Sequence, residues 1–210
     1  MAHHDAGVAL ALTFDYGQRA AKREIAAGRN VARALRVPWM SVALPWMARL
    51  LPRSLTTGRA PRVTRGRLDT QRHAAARARA VWVPNRNGVL LNIAAAYAEA
   101  RGLRAVVAGF NREEASTFPD NSREYMKAAT AAFRFSTNTH VRVVSPTALY
   151  DKTRIVSLGV THDAPLRHVW SCYADGKKMC ASCESCERLT RALRAADAPR
   201  RMWPRLLPRA

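Results

Sequence analysis

The sequence predicts an α/β fold on a parallel sheet, closed near its C-terminus by a metal-binding cysteine loop and a helix. Three observations predict it. Continuous apolar runs at residues 8–14 and 105–108 suit strands covered on both faces. Stretches with helical apolar spacing alternate with those runs, as βαβ crossovers require. All four cysteines, Cys172, Cys180, Cys183 and Cys186, crowd into one short segment.

The first strand, Val8-Ala9-Leu10-Ala11-Leu12-Thr13-Phe14, ends at Asp15-Tyr16-Gly17. Residues 18–36 follow with Ile25, Val31, Ala32 and Leu35 near helical spacing, and Pro38 ends that helix because it disfavours helical geometry in the residue before it. Residues 41–44 form a second strand. A long basic loop is expected from there to about Ala80, its densest part, 59–79, reading as solvated and mobile. Val81-Trp82-Val83 reads as a third strand. Asn85-Arg86-Asn87-Gly88 then opens a helix with Leu91, Ala94, Ala95 and Ala98 on its apolar face and Gly102 as its C-cap. Residues 104–109 are a further buried strand, 121–135 a helix, 141–144 a strand and 151–158 a helix. Residues 184–196 follow the cysteines as the last helix. One domain over 1–198, with 170–196 as its metal-binding part, leaves 199–210 as a frayed basic tail.

A chain of 210 residues with 48% hydrophobic content can bury a core and is not a disordered one. No apolar run approaches the roughly 18–20 residues that span a bilayer. The opening Met1-Ala2-His3-His4-Asp5 lacks the pattern of a secretory signal, so the cytoplasm is the expected compartment and no membrane is expected as a partner. The net charge of +20 invites a nucleic-acid surface. Yet only Lys22, Lys127, Lys152, Lys177 and Lys178 are lysines, the arginines run along the whole chain, and no aromatic residues interleave with them. A proteome rich in Arg and Ala explains this better, and nucleic acid is not an expected partner.

Cys172-x7-Cys180-x2-Cys183-x2-Cys186 supplies the four thiolates of a closed tetrahedral zinc site, with Asp175-Gly176 turning the chain in the longer gap. A closed site makes the metal structural, one per chain. Cys-x2-Cys-x2-Cys also occurs in iron–sulfur proteins, and unliganded thiols are the third reading. Lys177 and Lys178 can offset the charge of the thiolates. At Val83-Pro84-Asn85-Arg86-Asn87 a helix N-terminus, the Arg86 guanidinium and Asn87 suit an anion, although a plain capped turn has the same residues. Asp120 in Phe118-Pro119-Asp120-Asn121 could accept hydrogen bonds from the ring N–H and amino groups of a purine-like base, although a plain capped turn before a helix has the same residues. Lys152, opening a helix after Asp151, could reach a phosphate or stand exposed to water.

In order along the chain, Leu12-Thr13-Phe14-Asp15-Tyr16-Gly17-Gln18-Arg19, Val83-Pro84-Asn85-Arg86-Asn87, Phe118-Pro119-Asp120, Asp151-Lys152 and Trp170-Ser171-Cys172-Tyr173 with Cys180, Cys183 and Cys186 closely resemble the QueC family. That resemblance covers about 8–196 and implies an adenine nucleotide alpha hydrolase-like, Rossmann-like fold with structural zinc. The implied activity is ATP-dependent ligation of ammonia to 7-carboxy-7-deazaguanine, giving 7-cyano-7-deazaguanine for queuosine or archaeosine. ATP with magnesium serves as a substrate, and a homodimer is compatible with this reading. On that analogy Phe14 lies by the adenine, Arg86, Asn87 and Lys152 serve the phosphates and the adenylate, and Asp120 holds the deazapurine. The resemblance also implies a strand and a serine-glycine-glycine-x-aspartate-serine loop upstream of Val8. Met1 to Gly7 lack them, His3-His4-Asp5-Ala6-Gly7 reading as the tail of the preceding helix. The 210-residue chain is accordingly expected to form no nitrile by itself. The competing functions are a non-catalytic zinc-bearing remnant that binds nucleotide or deazapurine, and a tRNA-modifying ATP pyrophosphatase.

Overall fold

A computed structural model describes residues 7–58, 62, 68 and 71–208, the first five of the helix at 71 by backbone alone. The chain divides into two compact units, Asn85–Asp151 and Gly7–Pro84 with Lys152–Ala210. Each carries its own pair of parallel strands.

In the discontinuous unit, β1 (Ala11–Asp15) runs through helix α1 (Ala21–Ala34) into β2 (Trp39–Ala43), in register from Ala11 opposite Trp39 to Asp15 opposite Ala43. The turn after β1 is built from its own side chains. Gln18 accepts from Tyr16 N at 2.9 Å and donates to the Phe14 carbonyl at 3.1 Å and to Glu24 at 2.7 Å. Gly17 is needed there: φ is +88°, and a Cβ would lie 2.5 Å from Ala48 Cβ. Helix α1 closes in a Schellman pattern, Val37 N bonding Ala32 O and Arg36 N bonding Arg33 O, with Arg36 at φ 56°. Pro38 follows, as the sequence requires. All five β1 residues remain partly exposed, so burial on both faces does not hold; among the described residues only β2 pairs with this strand.

The expected loop to Ala80 holds 3-10 turns at Pro45–Leu50 and Arg53–Leu55 and helix α2 (Gln71–Val81). Most of 59–70 lies outside the described residues, as do positions 3–6. Val81 ends α2, and no strand covers Val81-Trp82-Val83, contrary to the sequence expectation. Three residues with β-branched ends are too short a signal against the helix-favouring Arg77-Ala78-Arg79-Ala80 before them. Past residue 151 come α6 (Lys152–Thr161) and α7 (Glu184–Ala195), which pack Val156, Ala192, Leu193 and Ala198 into a core with Trp203 against it. Residues 199–208 are therefore not frayed. Met202 is buried, and Trp203 Nε1 donates to Ala198 O at 2.8 Å. Met179 N donates to Arg205 O and Leu207 N to Met179 O, each at 2.9 Å. The Arg and Pro content of the tail hid these apolar anchors.

The second unit opens with α3 (Arg86–Glu99), closed at Gly102 by Leu103 N to Ala98 O at 2.8 Å. Then come β3 (Ala105–Val107), a short α4 (Arg112–Ala115) capped by Asn111, α5 (Arg123–Ser136) capped by Ser122, and β4 (Arg142–Val144). β3 pairs with β4 in parallel, from Ala105 opposite Arg142 to Val107 opposite Val144. Its core joins Leu91, Ala95, Ala98, Phe110, Met126, Phe133, Val141 and Val143. The expected burial of β3 fails at Ala105 and Val107, which face out while Val106 packs inward: the period is two, with one covered face.

Candidate metal centre and anion corner

The metal loop folds by local geometry. Asp175 accepts from Gly176 N at 2.7 Å and turns the longer gap, while Ala181 at φ 55° tightens the Cys180-x2-Cys183 turn. The four sulfurs come within 4.8 Å of one another, Cys180 Sγ lying 4.0 Å from Cys186 Sγ, and all four cysteines are free thiols. A tetrahedron with zinc–sulfur bonds of about 2.3 Å has edges of about 3.8 Å, so a small contraction would enclose the ion.

Backbone N–H groups already point at the sulfurs. Cys172 Sγ accepts from Ala174 N and Cys180 N, each at 3.4 Å, and Cys180 Sγ accepts from Cys183 N at 3.3 Å. Such donors suit thiolates. Hydrogen bonds from Cys183 and Cys186 hold the Cys172 thiol far below its ordinary range, at about 2, with backbone donors assisting. The donor role toward Cys172 pushes Cys183 up to about 12, and bonding to Cys172 and Cys183 with burial raises Cys186. A metal would replace these shared protons. The donor set fits the group.

The loop is held from several sides within its unit. Trp170 Nε1 donates to Cys172 O at 3.0 Å, and Met179, fully buried, accepts from Ser171 N at 3.3 Å. Arg23 of α1 pairs with Asp175 at 3.0 Å and lies 5.8 Å from the Trp170 ring. Sequence reasoning missed Arg77 of α2, whose Nε donates to Glu184 Oε2 at 3.0 Å. A basic helix with no acid of its own was the available signal.

The second corner lies in the Asn85–Asp151 unit, at the start of α3. Asn85 is the N-cap residue in left-handed geometry, φ 51°, without a side-chain cap bond. Its side chain folds over Gly88, where a Cβ would overlap Asn85 Oδ1 and sit 3.1 Å from the Tyr125 hydroxyl. Asn87 is buried and donates from Nδ2 to the Asp120 carbonyl at 3.4 Å. Asp120, in the 3-10 turn Pro119–Asn121, accepts from Asn121 Nδ2 at 3.0 Å. Burial raises its pKa, while the Arg86 guanidinium acts to lower it. Burial and the Asp120 charge raise Tyr125, a residue of this corner that the sequence reading missed.

Arg86, Asn87 and Asp120 are thus brought together, though Asn87 and Asp120 are 33 positions apart. Phe14 and Lys152 belong to the other unit. Phe14 stands on β1 opposite Val42, and Lys152 is the first residue of α6.

Parallel strands joined through helices and a largely buried cluster of four cysteines that could hold a metal ion define the class, an α/β protein. The chain matches the family described as Queuosine biosynthesis protein QueC over residues 1–197. It is 48% identical over 197 residues to the 7-cyano-7-deazaguanine synthase of Bdellovibrio bacteriovorus, covering 93% of this chain and 84% of that protein. It is 46% identical to the synthase of Pelotomaculum thermopropionicum over 191 residues (90% and 86%) and 42% identical to that of Methanosarcina mazei over 182 (84% and 79%). The chain belongs to the QueC family.

Proposed function

We infer that this chain is a 7-cyano-7-deazaguanine synthase, a carbon–nitrogen ligase of queuosine biosynthesis. The observation that carries this is the family match over 1–197 together with synthases of the same name at 42–48% identity across most of the chain. ATP adenylates the carboxylate of 7-carboxy-7-deazaguanine and releases pyrophosphate. Ammonia displaces AMP to give the amide. A second adenylation, on the amide oxygen, and loss of AMP leave the nitrile.

Arg86 and Lys152 serve the phosphates and adenylate, the guanidinium as a fork and the ammonium as a mobile point charge. Support for Arg86 comes from its station at the first residue of α3, where N–H groups lack intrahelical partners. Asn87 bonds the Asp120 carbonyl and so steadies the turn that presents Asp120 to the deazapurine. Phe14, at the end of β1, lies by the adenine. Cys172, Cys180, Cys183 and Cys186 hold one zinc ion, which supplies folding energy and no chemistry.

Residues 1–198 act as a single synthase domain, 170–196 as its metal subregion and 199–210 as its basic end. No described helix is long and apolar enough to cross a membrane. The reaction belongs in the cytoplasm, with small molecules as its partners; light scattering tests the homodimer.

The complete open reading frame, purified and supplied with 7-carboxy-7-deazaguanine, ammonia, ATP and magnesium, is expected to yield the nitrile by mass spectrometry. It is also expected to restore queuosine to the tRNA of cells lacking their own synthase. Binding of the deazapurine without turnover in both assays would sink the ligase reading and leave a binding remnant. The 210-residue chain, assayed alongside, tests the expectation that it forms no nitrile by itself.

A further inference from the structure

Glu184 follows Cys183 and precedes Cys186 by two, so two ligands fix its backbone. Its carboxylate is drawn inward. Oε2 accepts from Arg77 Nε at 3.0 Å, and Oε1 accepts from Arg188 at 2.8 and 3.1 Å. The side chains of Arg77, Glu184 and Arg188 are only 11%, 20% and 15% exposed. One carboxylate therefore separates two largely buried guanidiniums, and losing its charge would set the two cations against each other.

Arg77 belongs to α2, and its Nη2 also donates to Leu68 O at 2.9 Å. A backbone bridge joins Arg62 to Cys183. Helix α2 has 11 residues and no acid in its first turn. Isolated helices shorter than about 12–15 residues are marginal in water, so tertiary contacts must hold it. The Ser54 hydroxyl, which bonds Ala80 O, is one of them. Glu184 supplies an ionic contact, and it is mounted on the metal loop.

We propose that Glu184 is a positioning residue through which occupancy of the four-cysteine site holds α2 in place. An ion that fixes Cys183 and Cys186 fixes the carboxylate between them, and the carboxylate fixes Arg77. The coupling is reciprocal: docked α2 favours the metal-bound loop. It rests on the zinc reading above.

Hydrogen exchange read by mass spectrometry on the full chain tests it, comparing wild type, Glu184→Gln and Arg77→Met, each with zinc and after chelation. All four thiolates remain in both variants, so each is expected to keep one zinc per chain. Their α2 amides are expected to exchange about ten-fold faster or more than those of zinc-loaded wild type, as local opening allows. Chelation is expected to speed α2 in wild type and to add little in either variant, while still speeding α7 in all three. Zinc-loaded variants with α2 as slow as wild type would overturn the coupling alone. A wild type that binds no zinc would overturn the zinc reading and the coupling with it. Arg77→Met lies outside the loop and decides the matter if Glu184→Gln fails to fold.

Discussion

The cysteine corner and the Arg86–Asp120 corner are built in opposite ways. The first comes from one continuous stretch, 172–186, whose own backbone N–H groups already serve its sulfurs. The second gathers residues 33 positions apart and leaves a half-buried carboxylate facing a guanidinium. A corner saturated by its own loop suits a resident ion and a structural task. One holding a half-buried acid beside a cation suits a ligand that comes and goes. Substitutions in the first should therefore act on folding, and those in the second on binding and titration.

The largest expected effect tests the first half of that contrast. Cys183→Ser leaves three thiolates and should abolish metal binding. Structural zinc contributes about 10–16 kcal/mol in small metal domains, comparable with or above the about 5–15 kcal/mol that stabilises a typical domain. Metal analysis and thermal melting read the result, and unchanged values for both would refute a structural metal at the four cysteines. Phe133→Ala, in the other unit's core, should cost about 3–5 kcal/mol in denaturant unfolding while zinc content holds. Loss of zinc there would show that the corners are not energetically separate. Gly17→Ala forces a Cβ onto Ala48 at a positive φ and should cost about 1–3 kcal/mol, again without metal loss.

The smallest expected effect is on the titration of Asp120. Burial raises the Asp120 pKa above its unfolded value, so the folded state binds the proton more tightly. Its contribution is fully present below the unfolded pKa and is lost as pH rises through the folded one. Arg86→Met removes the cation that acts to lower that pKa and should move the upper end of this window to higher pH. Carbon-13 titration of the Asp120 carboxyl measures it, and a downward shift would contradict the assigned polarity.

Legibility followed sequence distance. The cluster of four cysteines, α7 and the turn at Asp175-Gly176 could be read because neighbours in the chain are neighbours in space. Gly102 and Pro38 likewise announced helix ends through local geometry. Helix α2 could not be read, since its place depends on Glu184, 107 positions from Arg77, and its Arg-rich sequence suggested solvent. Tyr125 escaped for the same reason: its hydroxyl gains meaning only beside Gly88 and Asp120. Arg86, Asn87 and Asp120 were each weak alone, and only their order along the chain gave them weight. Strands β1, β2, β3 and β4 lie where the apolar runs predict them, but β1 and β3 are less buried than those runs suggest, because an apolar run reports which faces could be covered and not which are.

Leu207 donates to the Met179 carbonyl, next to Cys180 in the chain. A purification handle fused shortly beyond it would therefore begin beside the thiolates. A polyhistidine handle there would offer rival imidazoles to any ion the four sulfurs take up, so preparations intended for metal stoichiometry are better tagged elsewhere.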